Sequence, residues 1–148
     1  MTYGFFHGYR HLMNEGIAAA HAFGEGLSST TFSSSGPTLS AGTIAPGEAF
    51  DVGVTVTNTG AAPGIETVMI FVAPIGSRVV RAPHDLRGFA QIELAPGASG
   101  AVTISIDSDD LAFWDETSDA FVVEPIDYEI RVGRSAEDVV ASAVLSIR

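Results

Sequence analysis

Phe50-Asp51-Val52-Gly53-Val54-Thr55-Val56-Thr57-Asn58-Thr59-Gly60 alternates apolar residues with small or polar ones and then stops on a turn signal. A period of two places Phe50, Val52, Val54 and Val56 on one face, the pattern of a strand with one side buried. The next stretch, Ile65 to Ala73, is apolar at nearly every position, through Val68, Met69, Ile70, Phe71 and Val72. A strand of that kind is expected in mid-sheet, covered on both sides.

The same period continues downstream. Ser77 to Pro83 reads as a short edge strand, because Arg78 and Arg81 flank Val79-Val80 and Pro83 removes a backbone donor. Phe89 to Leu94 and the alternating Val102, Ile104 and Ile106 are joined by Ala95-Pro96-Gly97, which reads as the tight turn of a hairpin. Asp107-Ser108-Asp109-Asp110 ends that strand and can cap one helical turn through Leu111-Ala112-Phe113. Phe121 to Val123, Tyr128 to Val132, and Val139 to Ile147 supply the last strands. About seven short strands, with turns roughly every ten residues, predict an all-β chain folded as a two-sheet sandwich.

Residues 1–32 read differently and are expected to be an irregular N-terminal extension, with the sandwich over 33–148. Tyr3, Phe5, Phe6 and Tyr9 form an aromatic run that reads more easily as strand, followed by a turn at Asn14-Glu15-Gly16 and then Ile17-Ala18-Ala19-Ala20. These side chains cannot form a core among themselves. They need either the sandwich or a neighbouring domain to cover them.

The totals exclude several classes of function. The chain has 148 residues, 46% of them hydrophobic and 17% charged, a globular composition with room for one domain. All seven basic residues are Arg, against 18 acidic residues and a net charge of −11, so neither nucleic acid nor an anionic membrane surface is an expected partner. The absence of Cys excludes disulfides and thiolate metal sites. The first residues lack the basic start and apolar run of a signal peptide, and no stretch approaches the roughly 18 apolar residues of a membrane span.

Phe23-Gly24-Glu25-Gly26-Leu27-Ser28-Ser29-Thr30-Thr31-Phe32 resembles the phrase F-G-Y-G-L-S-Y-T-x-F, which in family 3 glycoside hydrolases links the second catalytic domain to a terminal fibronectin type III-like domain. Gly8-Tyr9-Arg10 and Gly16 resemble the end of that family's second domain, and Val54 to Gly60 its V-x-V-x-N-T-G strand. Arg81-Ala82-Pro83 with Leu86-Arg87-Gly88-Phe89 is similar to R-P-x-x-x-L-K-G-F, and Leu94 to Gly97 to L-x-P-G. Asp110 to Asp115 resembles D-L-A-F-Y-D, and Val123-Glu124-Pro125 with Tyr128 resembles V-x-P-G-x-Y. Four positions depart: Glu25 and Ser29 replace the linker tyrosines, Ala22 a Pro, and Ile126 a Gly. The resemblance spans nearly the whole chain and implies an immunoglobulin/fibronectin III-like sandwich.

The resemblance also implies a parent enzyme, of β-glucosidase or β-xylosidase type, that is a retaining glycosidase with two carboxyl groups about 5 Å apart. The motifs of that pair are missing here, so no catalytic residue is expected. Ser118-Asp119 reads as a solvated loop, and His7 and His11 as unlinked residues, since on a strand they would stand about 13 Å apart. No metal and no cofactor are expected. His21 and His84 read as surface or interface residues, Trp114 as packed against the fold, and Tyr128 as a tyrosine-corner residue bonded to nearby backbone. The expected partner is the catalytic domains of a glycoside hydrolase, on the same or a separate chain. Phe5, Phe6, Tyr9, Leu86, Arg87 and Phe89 are the expected docking surface, an apolar patch with Arg at its margin. The alternative is an independent carbohydrate- or polymer-binding module, which needs exposed, coplanar aromatic rings.

Overall fold

The structure is a computed structural model that describes residues 5–148, and Tyr3 of the aromatic run lies outside them. One helix, α1 (Tyr9–Glu15), precedes the strands β1 (Phe32–Ser34), β2 (Thr38–Leu39), β3 (Thr43–Ile44), β4 (Ala49–Asn58), β5 (Gly64–Ile75) and β6 (Asp85–Leu94). Then follow β7 (Ser99–Asp107), β8 (Phe113–Asp115), β9 (Ala120–Val122), β10 (Asp127–Gly133) and β11 (Val139–Ile147). In the first sheet β4 pairs with β1, β2 and β7; the second runs β3-β11-β10-β5-β6, and β8 with β9 forms a small hairpin. The chain is the all-β, two-sheet sandwich that its alternation predicts. The strands beyond the expected seven are segments of two or three residues, too short to show a period of their own.

Phe50, Val52, Val54 and Val56 are each at most 2% exposed. They pack with Ile104 and Ile106 of β7 against Val68, Ile70 and Val72 of β5 and Tyr128, Ile130 and Val132 of β10. Burying such side chains is worth about 1.5–3 kcal/mol each, so this layer carries most of the stabilisation. As the unbroken apolar run requires, β5 lies between β10 and β6 and is covered on its other face too. There Met69 and Phe71 pack with Ala136, Leu86, Tyr9 and Met13.

Three local expectations are corrected. Ser77 to Pro83 is a loop and not an edge strand. The buried Glu124 carboxylate takes the Ser77 hydroxyl at 2.5 Å and the Arg78 N–H at 2.9 Å, so side chains replace a ladder there. The Ala95-Pro96-Gly97 turn does not make a hairpin. It is a real turn, with Ala98 N–H donating to Ala95 and Gly97 at φ 74°, but it carries the chain from β6 in one sheet to β7 in the other. The aromatic N-terminal run leads into a helix. Gly16, at φ 65°, adopts the left-handed cap conformation and donates to the carbonyls of Leu12 and Met13, so the expected turn is the helix end.

A seven-residue helix is marginal by itself. Tertiary contacts hold α1 on β6: the Leu86 N–H donates to the Tyr9 hydroxyl at 3.1 Å, and Arg10 pairs with Asp85 at 2.5 Å. The one expected helical turn is present as a 3-10 turn, Ser108–Leu111, capped by the Asp107 carboxylate. Among the described residues no helix is long and apolar enough to cross a membrane.

Asn58 joins these parts. Its side chain is fully buried and bonded through both ends: the Thr30 hydroxyl and the Gly60 N–H donate to Oδ1, and Nδ2 donates to the Ala62 and Leu94 carbonyls. The segment before β1, the turn after β4 and the end of β6 thereby meet on one amide. Asn58→Ala is expected to cost about 2–4 kcal/mol in chemical denaturation, because buried groups lose their partners together. Tyr128→Phe, which removes the 3.2 Å bond from a buried hydroxyl to the Glu124 carbonyl, is expected to cost about 1 kcal/mol.

Candidate functional site

The outer face of β6 presents an open apolar surface among the expected docking residues. Gly88 makes room for it: a Cβ there would stand 2.5 Å from an Ile104 methyl, so only glycine lets β6 lie this close to β7. Phe89 then projects outward, 65% exposed, opposite Met69 of β5. A groove of about 570 Å³ runs past it, lined by Leu86, Arg87, Gly88, Phe89, Thr103, Ile104 and Ser105.

The six expected docking residues fall into two groups. Tyr9 and Leu86 are half-buried and packed together within this chain, Tyr9 also stacking on Phe23 at 4.8 Å between ring centres. Arg87 lies along the same edge, its guanidinium 3.2 Å from Asp85. Phe89 and Phe5 are open to solvent, and Phe6 is half-buried with its ring edge-on to Phe5 at 5.0 Å. Asp85 is thus shared between Arg10 and Arg87, which gives the patch an arginine margin on an otherwise acidic chain.

His84 corrects an expectation. It is 1% exposed, with its ring 4.5 Å from that of Phe71, and not a surface residue. Its Nδ1 lies 3.0 Å from the Arg131 guanidinium. Burial, and then the positive charge of Arg131, lower its pKa from 6.5 to about 4, although the Ala136 backbone, Asp85 and Glu129 act in the opposite direction. An isolated histidine gives no sequence signal of this kind. Asn58 was equally silent, visible only as the Asn of the V-x-V-x-N-T-G phrase.

A second groove, of about 660 Å³, lies under residues 22–32 and is lined in part by Glu25, Glu66, Arg134, Glu137 and Asp138. Three of its four carboxylates are committed to local structure. Glu25 accepts the Ala22 N–H at 2.9 Å, Glu137 the Ala19 N–H at 3.2 Å, and Asp138 is 2.7 Å from Arg134. Burial raises the pKa of the fourth, Glu66, and Arg134 partly offsets the effect. The groove therefore does not present two free carboxyl groups facing a common space, the arrangement a retaining glycosidase uses.

Trp114 also departs from expectation. It is 49% exposed on the β8–β9 hairpin, opposite Phe121, which is 73% exposed. Their rings meet at 76° with centres 5.2 Å apart, an edge-to-face pair that stabilises a hairpin but offers no two-ring plane. Ser118 and Asp119 sit in the exposed turn of this hairpin, with the Ser118 hydroxyl bonded to Asp115. His7 precedes α1 and His11 lies on it, both exposed. Among the described residues no cluster of three metal-ligating side chains occurs.

Comparison with known proteins agrees with this fold. Residues 66–136 match the fibronectin type III-like domain. The chain is 38% identical over 144 residues to a β-glucosidase of Rhizobium radiobacter, covering 97% of this chain and 18% of that protein. It is 35% identical over 144 residues to an exo-α-(1→6)-L-arabinopyranosidase of Bifidobacterium breve, with coverage of 97% and 19%. The solved family 3 β-glucosidase of Bifidobacterium adolescentis superposes with a TM-score of 0.87 at 35% identity, covering 97% of this chain and 21% of that one. The chain thus spans about a fifth of the length of these relatives. In sequence order, strand arrangement and segment length alike, the chain is a fibronectin type III-like domain, with its preceding linker, of the kind that family 3 glycoside hydrolases carry.

Proposed function

We propose that this chain is a non-catalytic accessory module that docks on the catalytic domains of a β-glucosidase or β-xylosidase hydrolysing terminal β-linked sugars, and stabilises them. Residues 1–32 serve as the end of the preceding domain plus the linker, and 33–148 as the module itself. The observation that carries the reading is the open apolar edge of β6, with Phe89 65% exposed beside a groove and arginines at its margin. An exposed aromatic on a half-open groove is what an intramolecular interface buries. The relatives are larger chains of which this segment is one part, which supports a catalytic partner.

The Trp114 exposure gives the carbohydrate-binding alternative its one supporting observation. The 76° angle between Trp114 and Phe121 weighs against it, since a sugar ring stacks on a flat face.

Phe89→Ala separates the readings. In the full-length protein it is expected to lower the melting temperature by several degrees, the effect of roughly 1–2 kcal/mol, with sugar specificity unchanged. In this chain alone the melting temperature should hold within about a degree, because the ring is already in solvent. A shift in specificity without loss of stability would contradict docking. Two further measurements bear on function: this chain alone should not turn over an aryl glucoside, and titration with cellulose, xylan and oligosaccharides should show no saturable binding. Saturable binding lost in Trp114→Ala would favour the alternative.

A further inference from the structure

We propose that His84 is a pH-sensitive latch on the N-terminal segment: taking up a proton there loosens residues 84–86 and releases α1 from the outer face of the second sheet. This goes beyond the docking reading and does not depend on it.

The argument is geometric first. The Arg131 guanidinium can only donate, so the Nδ1 that faces it at 3.0 Å must be an acceptor, which only the neutral imidazole provides. A proton on Nδ1 would set N–H against N–H. It would also place a second cation beside Arg131 in a site that is 1% exposed. The other ring nitrogen, Nε2, is buried with no full hydrogen bond among the described residues, and the Ala136 backbone that favours a proton on the ring is outweighed by burial and by Arg131.

The next two residues are the ones that tether α1. Asp85 pairs with Arg10 at 2.5 Å, and the Leu86 N–H donates to the Tyr9 hydroxyl at 3.1 Å. Phe71, the ring under His84, also meets the Tyr9 ring edge-on at 6.4 Å. Displacing the imidazole therefore acts on both polar tethers of the helix and on the Phe71 ring beneath Tyr9. The charged groups facing this site are Arg131 and Glu129 from β10, Asp85 and Arg87 from β6, and Arg10 from α1. Glu129 is itself bonded to Arg131 at 2.7 Å and Asp85 is shared by two arginines, so both carboxylates favour a new charge less than burial and Arg131 oppose it.

The sign follows from linkage. In the folded chain His84 stays neutral down to about pH 4, whereas a released His84 takes up a proton below its ordinary 6.5. Its contribution to stability is complete above the released value and is lost as pH falls through the window between the two.

The test is amide hydrogen exchange on this chain. The Leu86 amide, bonded to Tyr9, should lose protection on the order of tenfold between about pH 7 and about pH 5, while β4 amides change by less than about threefold. In His84→Gln, which keeps an acceptor for Arg131 but cannot titrate, the Leu86 change should shrink to that of β4. In Arg131→Gln the loss should shrink, because without the neighbouring charge the folded value rises toward the released one and the window between them narrows. The proposal is overturned if His84→Gln retains the full pH dependence, if Arg131→Gln keeps the full wild-type loss, or if the wild-type His84 ring resonances titrate without any change at Leu86.

Discussion

Everything in this molecule is arranged around a strand that is apolar on both faces. Val68, Ile70 and Val72 are met by the opposing sheet, and Met69, Phe71 and Ala73 point the other way yet are buried as well. A two-sheet sandwich can cover only one face of each sheet. The outer face of β5 therefore needs a second cover, and the chain supplies one from its own N-terminal segment. Tyr9 and Met13 of α1 lie over Met69 and Phe71, and Phe23 stacks on Tyr9.

That cover is partial, and its margins hold the features of interest. Phe89, Ile65 and Val144 project from the same face, each at least half exposed. Phe5 stands free beyond the start of α1. The proposed docking surface is thus the continuation of a covering that the chain begins, and His84 lies at the seam between what the chain covers and what it leaves open. The opposite sheet has no such demand, because β4 and β7 alternate strictly and present small polar residues outward.

The sandwich was legible because period-two alternation reports burial directly, residue by residue, in β4 and β7. The double burial of β5 was legible too, since no polar residue interrupts Val68 to Ala73. What covers its outer face was not. Tyr9 and Leu86 are both expected docking residues, and they do meet, but within the chain; composition cannot tell an internal contact from an external one. The Ala95 to Ala98 turn has the residues of a hairpin, and only the partners of β6 and β7 reveal that it bridges two sheets. His84, Asn58 and Glu124 were hidden for a common reason: each acts through buried polar contacts with residues distant in sequence, which no local pattern encodes.

The claim that the outer face of the second sheet is the surface on which this module docks is tested most directly by comparing deuterium uptake along the chain by itself and within the full-length protein. The account predicts slower uptake in the larger protein at β6, from Asp85 to Leu94, and at the residues around Phe5, with β4 unchanged. Slowing confined to β4 and β7, with β6 exchanging as freely as before, would contradict it.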